Sequence, residues 1–283
     1  MKQGQIVRIE LGSFCIEIQC QDQEFMAKML INYRPFLVSR EPDFWININL
    51  RNTLTESEVK HLLTSSRSHV DGDCFVSELL ECRIDWVGAN LRVDTEKELF
   101  APSVEYKLMN SLLRGIYSGI YVRIRNTKPD TYLVHGCGII DGEKCYLFTG
   151  PSGSGKTTLA KLAEGRKVLN DEALLIGRNR EGFYITGTPF DGGIPEKCNA
   201  SGYLSAIIFL KHDTQVSLRK LSKAETYYKF LTQIFDTSPL LEAAGTGSLQ
   251  ERADLSAELA TEVTSYELGF RPDTSFWQSI ETI

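Results

Sequence analysis

The sequence predicts an α/β protein: a domain with a mixed sheet built around a phosphate-binding loop, preceded by a strand-rich α+β module. Three observations carry that prediction. Gly150-Pro-Ser-Gly-Ser-Gly-Lys156-Thr157 satisfies the pattern G-x-x-x-x-G-K-[ST], between a strand-like run, YLF, and a helix-like run, TTLAKLAE. An Asp171-Glu172 pair closes an apolar run only fifteen residues beyond Lys156. Over residues 4–20, apolar and polar side chains alternate with the period of half-buried strands, and strand-like runs recur up to residue 94.

Length and composition bound the answer. A chain of 283 residues with 42% apolar side chains buries a full core, as one large domain or two small ones. The balance of 31 basic against 37 acidic residues, a net charge of -6, argues against a general nucleic-acid or anionic-membrane surface. No run approaches the roughly 20 apolar residues of a membrane span, and MKQGQIVRIELG lacks the features of a signal peptide, so the expected location is the cytoplasm. Seven cysteines, at 15, 20, 74, 82, 137, 145 and 198, form no C-x-x-C pair. They read as reduced thiols packed like small apolar residues.

Taken in order, QIVRIELGSFCIEIQCQ reads as a hairpin about a Gly-Ser turn, and residues 22 to 32 as a helix with Phe25, Met29 and Leu30 on one face. Strand-like runs follow at 44–50, 74–81 and 82–94. Residues 104 to 124 place Leu108, Leu112 or Leu113, Ile116 and Ile120 at helical spacing, which predicts a long amphipathic connecting helix. After the turn cluster NTKPD, the stretch TYLVHGCGIIDGEKCYLFTG reads as strand, Asp141-Gly142 turn, strand and loop. Residues 236 to 255 read as loop. The expected organisation is an N-terminal module over 1–103, a connecting helix and turn over 104–130, and the loop-bearing domain over 131–283.

The loop carries the chemistry. Its glycines let successive backbone N–H groups face inward around phosphates, so Gly150, Pro151, Ser152, Gly153, Ser154, Gly155, Lys156, Thr157 and Thr158 are the expected nucleotide contacts. Lys156 would reach the outer phosphates and the Thr157 hydroxyl would coordinate Mg2+. If 157–164 form a helix and 167–170 the next strand of a right-handed crossover, that strand ends at the loop's edge of the sheet. Asp171 and Glu172 then lie beside the terminal phosphate, one to take a proton from an attacking hydroxyl and the other to hold the metal; the alternative is a pair of solvated turn carboxylates. His135 reaches the same edge if its strand pairs with 144–149, and is otherwise a packed strand histidine.

Together, "YLVHGCGIIDGEKCYLFTGPSGSGKTTLAKLA", "VLNDEALLI" and "GFYITGTPFDGG" resemble the catalytic domain of the HPr kinase/phosphorylase family, whose fold is of the HPr kinase/PEP carboxykinase-like type. "LSAIIFLK" and "SYELGFRPDTSFWQSI" also resemble segments of HPr kinase-like relatives, so the resemblance runs over 131–283. It implies transfer of phosphate from a nucleotide to a serine hydroxyl, with His135 and Asp171 at the reacting end, beside the ATP and Mg2+ contacts expected of Lys156, Thr157 and Glu172. The implied acceptor is a hydroxyl-bearing peptide, protein or small molecule, and a homo-oligomer is compatible with it. This chain departs from the family where Glu172 replaces the second Asp of the pair, and where YITGTPF stands in place of a Glu-containing E-x-R-G stretch. The competing readings are a phosphate-loop ATPase and a non-catalytic, nucleotide-dependent binding partner. The first lacks an LSGGQ-like segment, and intact Lys156, Thr157 and Asp171 speak against the second.

Overall fold

Alternation in the first twenty residues closes a hairpin in which β1 (Gln5–Leu11) pairs antiparallel with β2 (Phe14–Cys20) across Gly12-Ser13. The computed structural model describes residues 5–65, 69–71, 74–76, 80–85, 87–97, 113, 116–117, 131–190, 192–234 and 249–283. They fall into two compact units, one drawn from residues before 130 and one from residues 131 onward. Each is a mixed α/β arrangement around its own mixed sheet.

In the first unit, α1 (Gln23–Asn32) and a 3-10 turn at Arg34–Phe36 return the chain so that β3 (Phe44–Arg51) lies parallel to β2. The Asp22 carboxylate caps α1 by accepting the Phe25 N–H, leaving Phe25, Met26 and Met29 buried. Leu30, expected on that face, is 41% exposed and Met26 stands in its place, because a helix turning 100° per residue carries position 30 past the contact. The sheet continues through β4 (His69–Asp71), β5 (Cys74–Val76), β6 (Leu80–Asp85) and β7 (Asn90–Glu96), in the order β1-β2-β3-β7-β6-β5-β4. The apparent run 82–94 is thus two strands, paired antiparallel about residues 87–89. A helix that periodicity did not announce, α2 (Glu56–Ser65), begins at a reciprocal cap: the Thr55 N–H donates to Glu58 and the Glu58 N–H returns to the Thr55 hydroxyl. Of the expected connecting helix, Leu113, Ile116 and Tyr117 are buried and the rest lies outside the described residues.

The second unit is organised by strands buried on both faces. β10 (Lys144–Thr149) puts Cys145 and Leu147 into one apolar cluster and Tyr146 and Phe148 into another. Parallel to it runs β14 (Ser201–His212), whose Ile207 and Phe209 alternate with Ala206, Ile208 and Leu210 in the same way. Such two-sided burial is why both read as unbroken apolar runs. Helices α4 (Lys223–Leu231) and α5 (Leu249–Glu262) supply Phe230, Leu255 and Leu259 to the first cluster. Helices α3 (Lys156–Lys161) and α6 (Phe276–Ile280) supply Leu159, Phe276 and Trp277 to the second. Of residues 236–255, expected as loop, 249–255 are helical, with Leu255 buried in the first cluster, and 236–248 lie outside the described residues.

The remaining strands are β8 (Thr131–His135), β9 (Cys137–Asp141), β11 (Lys167–Asn170), β12 (Ala173–Asn179), β13 (Gly182–Gly187), β15 (Ser217–Lys220) and β16 (Ser265–Phe270). Their order is β11-β9-β10-β14-β13-β12-β8, with β16 beside β14 and β15 beside β16. One expectation is corrected here. The strand carrying His135 does not run on to the Asp141-Gly142 turn; it stops at Gly136, and β8 pairs with β12 while β9 pairs with β10 and β11. Gly136 stands at that break in close packing: a side chain there would come to 2.6 Å from Leu147 Cδ1 and 3.1 Å from the Phe148 carbonyl. Helix α3 is also shorter than expected: Glu164 and Gly165 take φ of 40° and 78°, ending the helical turn so that the chain enters β11 at once.

Candidate active site

Two chain corners and one loop meet at an edge of the second unit. The Gly150–Gly155 loop leaves the end of β10, and β11 leads into Asp171 and Glu172 before β12. Both β10 and β11 pair antiparallel with β9 between them, so they run in the same direction and release loop and carboxylates at the same edge. The second corner, His135-Gly136 between β8 and β9, is tied to the first: the Gly136 N–H donates to the Glu172 carbonyl at 3.3 Å, and His135 Nε2 lies 3.6 Å from Glu172 Oε2.

Within the loop, Gly153 and Gly155 take φ of 79° and 103°, the left-handed region that turns the backbone back on itself. Lys156 is buried, and its Nζ donates to the carbonyls of Gly150 at 2.8 Å and Pro151 at 3.1 Å. Burial pulls its ammonium pKa below the ordinary lysine value, and the carboxylates of Glu172 and Asp171 and the thiol of Cys137 offset part of that shift. Thr157 follows at the start of α3. Asp171 is 2% exposed, and both its oxygens accept the Gly193 N–H, at 3.1 and 3.0 Å.

Gly193 joins the loop to the carboxylate. A Cβ built on it would lie 2.7 Å from Thr157 Oγ1 and 3.1 Å from Asp171 Oδ2, so the hydroxyl and the carboxylate border one small space. A Cβ on Gly192 would stand 2.0 Å from Asp171 Oδ1. The corner itself is held by Asn170, whose Oδ1 accepts the N–H groups of Glu172 and Ala173 while Nδ2 donates to the carbonyls of Thr188 and Phe190.

The structure thus brings Lys156, Thr157, Asp171, Glu172 and His135 to one edge, together with the Gly150–Thr158 stretch. His135 arrives by another route than expected, through β12 and the Glu172 corner.

No family model matches this chain, and no curated protein matches it. Among solved structures, that of the Hpr(Ser) kinase/phosphatase from Coxiella burnetii is similar over 53% of this chain and 86% of that one, with a TM-score of 0.29 and 12% identity. The reading of the site rests on its own residues.

Sequence reasoning misses the residues that hold the site from afar. Thr149, wholly buried at the end of β10, brings its hydroxyl to 2.6 Å from the His135 carbonyl and 3.0 Å from Gln233 Oε1. The Gln233 carbonyl in turn accepts the His135 N–H at 2.7 Å. The Ser222-x-x-Glu225 capping box that starts α4 could have located the helix that delivers Gln233. Nothing local in the sequence marks Gln233 itself.

Proposed function

We propose that this chain is an ATP- and Mg2+-dependent phosphotransferase of the phosphate-loop, HPr kinase-like type, which moves a phosphoryl group to a hydroxyl, foremost the serine of a peptide or protein. The observation that carries the reading is the meeting of the Thr157 hydroxyl and the Asp171 carboxylate at Gly193, beside the buried ammonium of Lys156. The donor set fits the groups it would take. Hydroxyl and carboxylate oxygens are hard ligands suited to Mg2+, which shares its shell with nucleotide phosphates and needs only one or two protein carboxylates. Thr157 and Glu172 would hold the ion, and Lys156 and the loop N–H groups the phosphates. The bound metal supplies charge neutralisation at the transferring group.

Asp171 is the base. In the transfer, the acceptor O–H gives its proton to Asp171, the oxygen forms a bond to the terminal phosphorus, and the bond from that phosphorus to its bridging oxygen breaks, leaving the electron pair on ADP. His135, 3.6 Å from Glu172, sets the position of the second carboxylate.

The test supplies ATP labelled at its terminal phosphate together with a cell extract, identifies the labelled acceptor, and repeats the transfer with Asp171→Asn. The amide keeps the shape of the carboxylate and cannot take the proton, so transfer should fall about 10²- to 10⁴-fold while nucleotide affinity stays within a few-fold. Transfer at the wild-type rate in the Asn variant would refute the mechanism.

A further inference from the structure

In-line phosphoryl transfer sets the attacking and leaving oxygens on opposite sides of the phosphorus. On the phosphotransferase reading above, the acceptor approaches where Asp171, Glu172 and His135 gather, on the side of β10 that leads through β9 to β11. The nucleoside then belongs on the other side of the loop, where β10 neighbours β14. Their parallel register sets Thr149 against Phe209, so Leu210, Lys211 and His212 continue alongside the first residues of the loop.

An open cavity of about 510 Å³ lies on that side, lined by Ser152, Gly153, Leu210, His212, Lys229 and Glu267 among others. Its size is in the range of sites for small organic ligands. His212 Nε2 stands 2.6 Å from the Gly153 carbonyl, so the outer face of the loop is one wall of the cavity. The lining also carries a fixed anion: Glu267 on β16 is held by Lys229 at 2.9 Å and Arg219 at 3.2 Å. The Lys229 ammonium, above all, keeps that carboxyl below the ordinary glutamate value, so it stays an acceptor.

These charges choose the ligand. Of the cations in the lining, Lys229 is held by Glu267, and Lys211 stands beside the polar groups of Glu267 and His212 in the same lining. A fixed carboxylate and a planar imidazole in one lining match a group rich in hydroxyl donors and carrying a flat ring. We propose that this cavity is the nucleoside subsite, with Glu267 accepting hydrogen bonds from the ribose hydroxyls and His212 lying beside the base.

The test compares ATP with tripolyphosphate, which keeps the phosphates and lacks the nucleoside. Affinities of both, with Mg2+, are measured by calorimetry for the wild type, Glu267→Gln and His212→Ala. The exposed His212 tolerates truncation and keeps the test decisive if the strand residue Glu267 does not. The expected result is an ATP affinity about ten-fold lower in each variant, since a hydrogen bond to a charged acceptor is lost or the base loses its neighbour, with tripolyphosphate affinity within about two-fold of wild type. An ATP-to-tripolyphosphate ratio unchanged by both substitutions overturns the subsite. So does a wild type that binds tripolyphosphate and ATP equally, and that outcome leaves the phosphotransferase reading standing. A wild type that binds neither overturns that reading, and the subsite with it.

Discussion

Asn170 uses every hydrogen-bonding position of its amide for one purpose. Buried at the end of β11, it accepts two backbone N–H groups of the Asp171 corner and donates to the carbonyls of Thr188 and Phe190, on the segment that brings Gly192 and Gly193 over the carboxylate. Replacing it with alanine strands two donors and two acceptors in a site with little water, which costs about 3 kcal/mol by the usual penalty for a broken buried network. We expect Asn170→Ala to lower the urea midpoint accordingly, with the slope of the transition unchanged. A loss under about 0.5 kcal/mol would show that the corner holds without it. This scale also sets the limit of what was legible in the sequence. Lys156 and Thr157 belong to a motif of fixed spacing, and Asp171 follows only fifteen residues after Lys156. Gly193 meets Thr157 only after the rest of α3 and the three strands β11, β12 and β13 have intervened, and Gln233 meets Thr149 across 84 positions, so no local pattern carries either contact.

At the scale of elements, local chemistry and long-range pairing part company in the same way. The hairpin at the N-terminus, the strand before the loop and the strand ending in Asp171 follow from alternation or apolar runs alone. The break at Gly136 does not, because it depends on how closely Leu147 packs against the corner. Capping boxes are the exception, since they write a helix start into four residues. That of α4 gives a test by pH. Glu225 accepts the Ser222 N–H at 2.9 Å and the Arg219 guanidinium at 2.8 Å, then the Ser222 hydroxyl at 2.8 Å. These bonds lower its pKa from 4.5 to about 2. A carboxyl with a depressed folded-state pKa stabilises the fold fully above its unfolded value, and that stabilisation is lost as pH falls from about 4.5 through about 2. The thermal midpoint of the wild type should therefore exceed that of Glu225→Gln at pH 6, and the gap should shrink below pH about 4. A gap independent of pH would show that the carboxylate charge plays no part in the cap.

Across the whole molecule, the expected class of mixed α/β architecture follows from two features that survive any local error: strands buried on both faces in the second unit, and one apolar and one polar face in the first. In the first unit, Ile16, Ile18, Ile46 and Val93 are buried on one face, and on the other Glu17, itself buried, accepts hydrogen bonds from Arg8 and Gln19. Sheet order was not legible, because β14 pairs not only with its chain neighbour β13 but also with β10 and β16, which come from distant parts of the chain. The cysteines report on both cores at once. All seven are free thiols, of which Cys15, Cys20, Cys82, Cys137 and Cys145 are buried and only Cys74 and Cys198 are half-buried, one in each unit. Burial pushes the Cys82 and Cys145 thiols up to about 12 and raises Cys137 well above its ordinary value. Since the thiolate is the reacting form, these groups are both covered and protonated at pH 8. A disulfide reagent at that pH should therefore label Cys74 and Cys198 in the native protein at least about ten-fold faster than the other five, and all seven at similar rates in denaturant. Mass spectrometry of the labelled peptides separates the units. Rapid native labelling of Cys137 or Cys145 would mean that β9 and β10, the strands that set Gly136 and the phosphate-binding loop in place, are not packed as described. Rapid labelling of Cys15 or Cys20 would say the same of the N-terminal sheet alone.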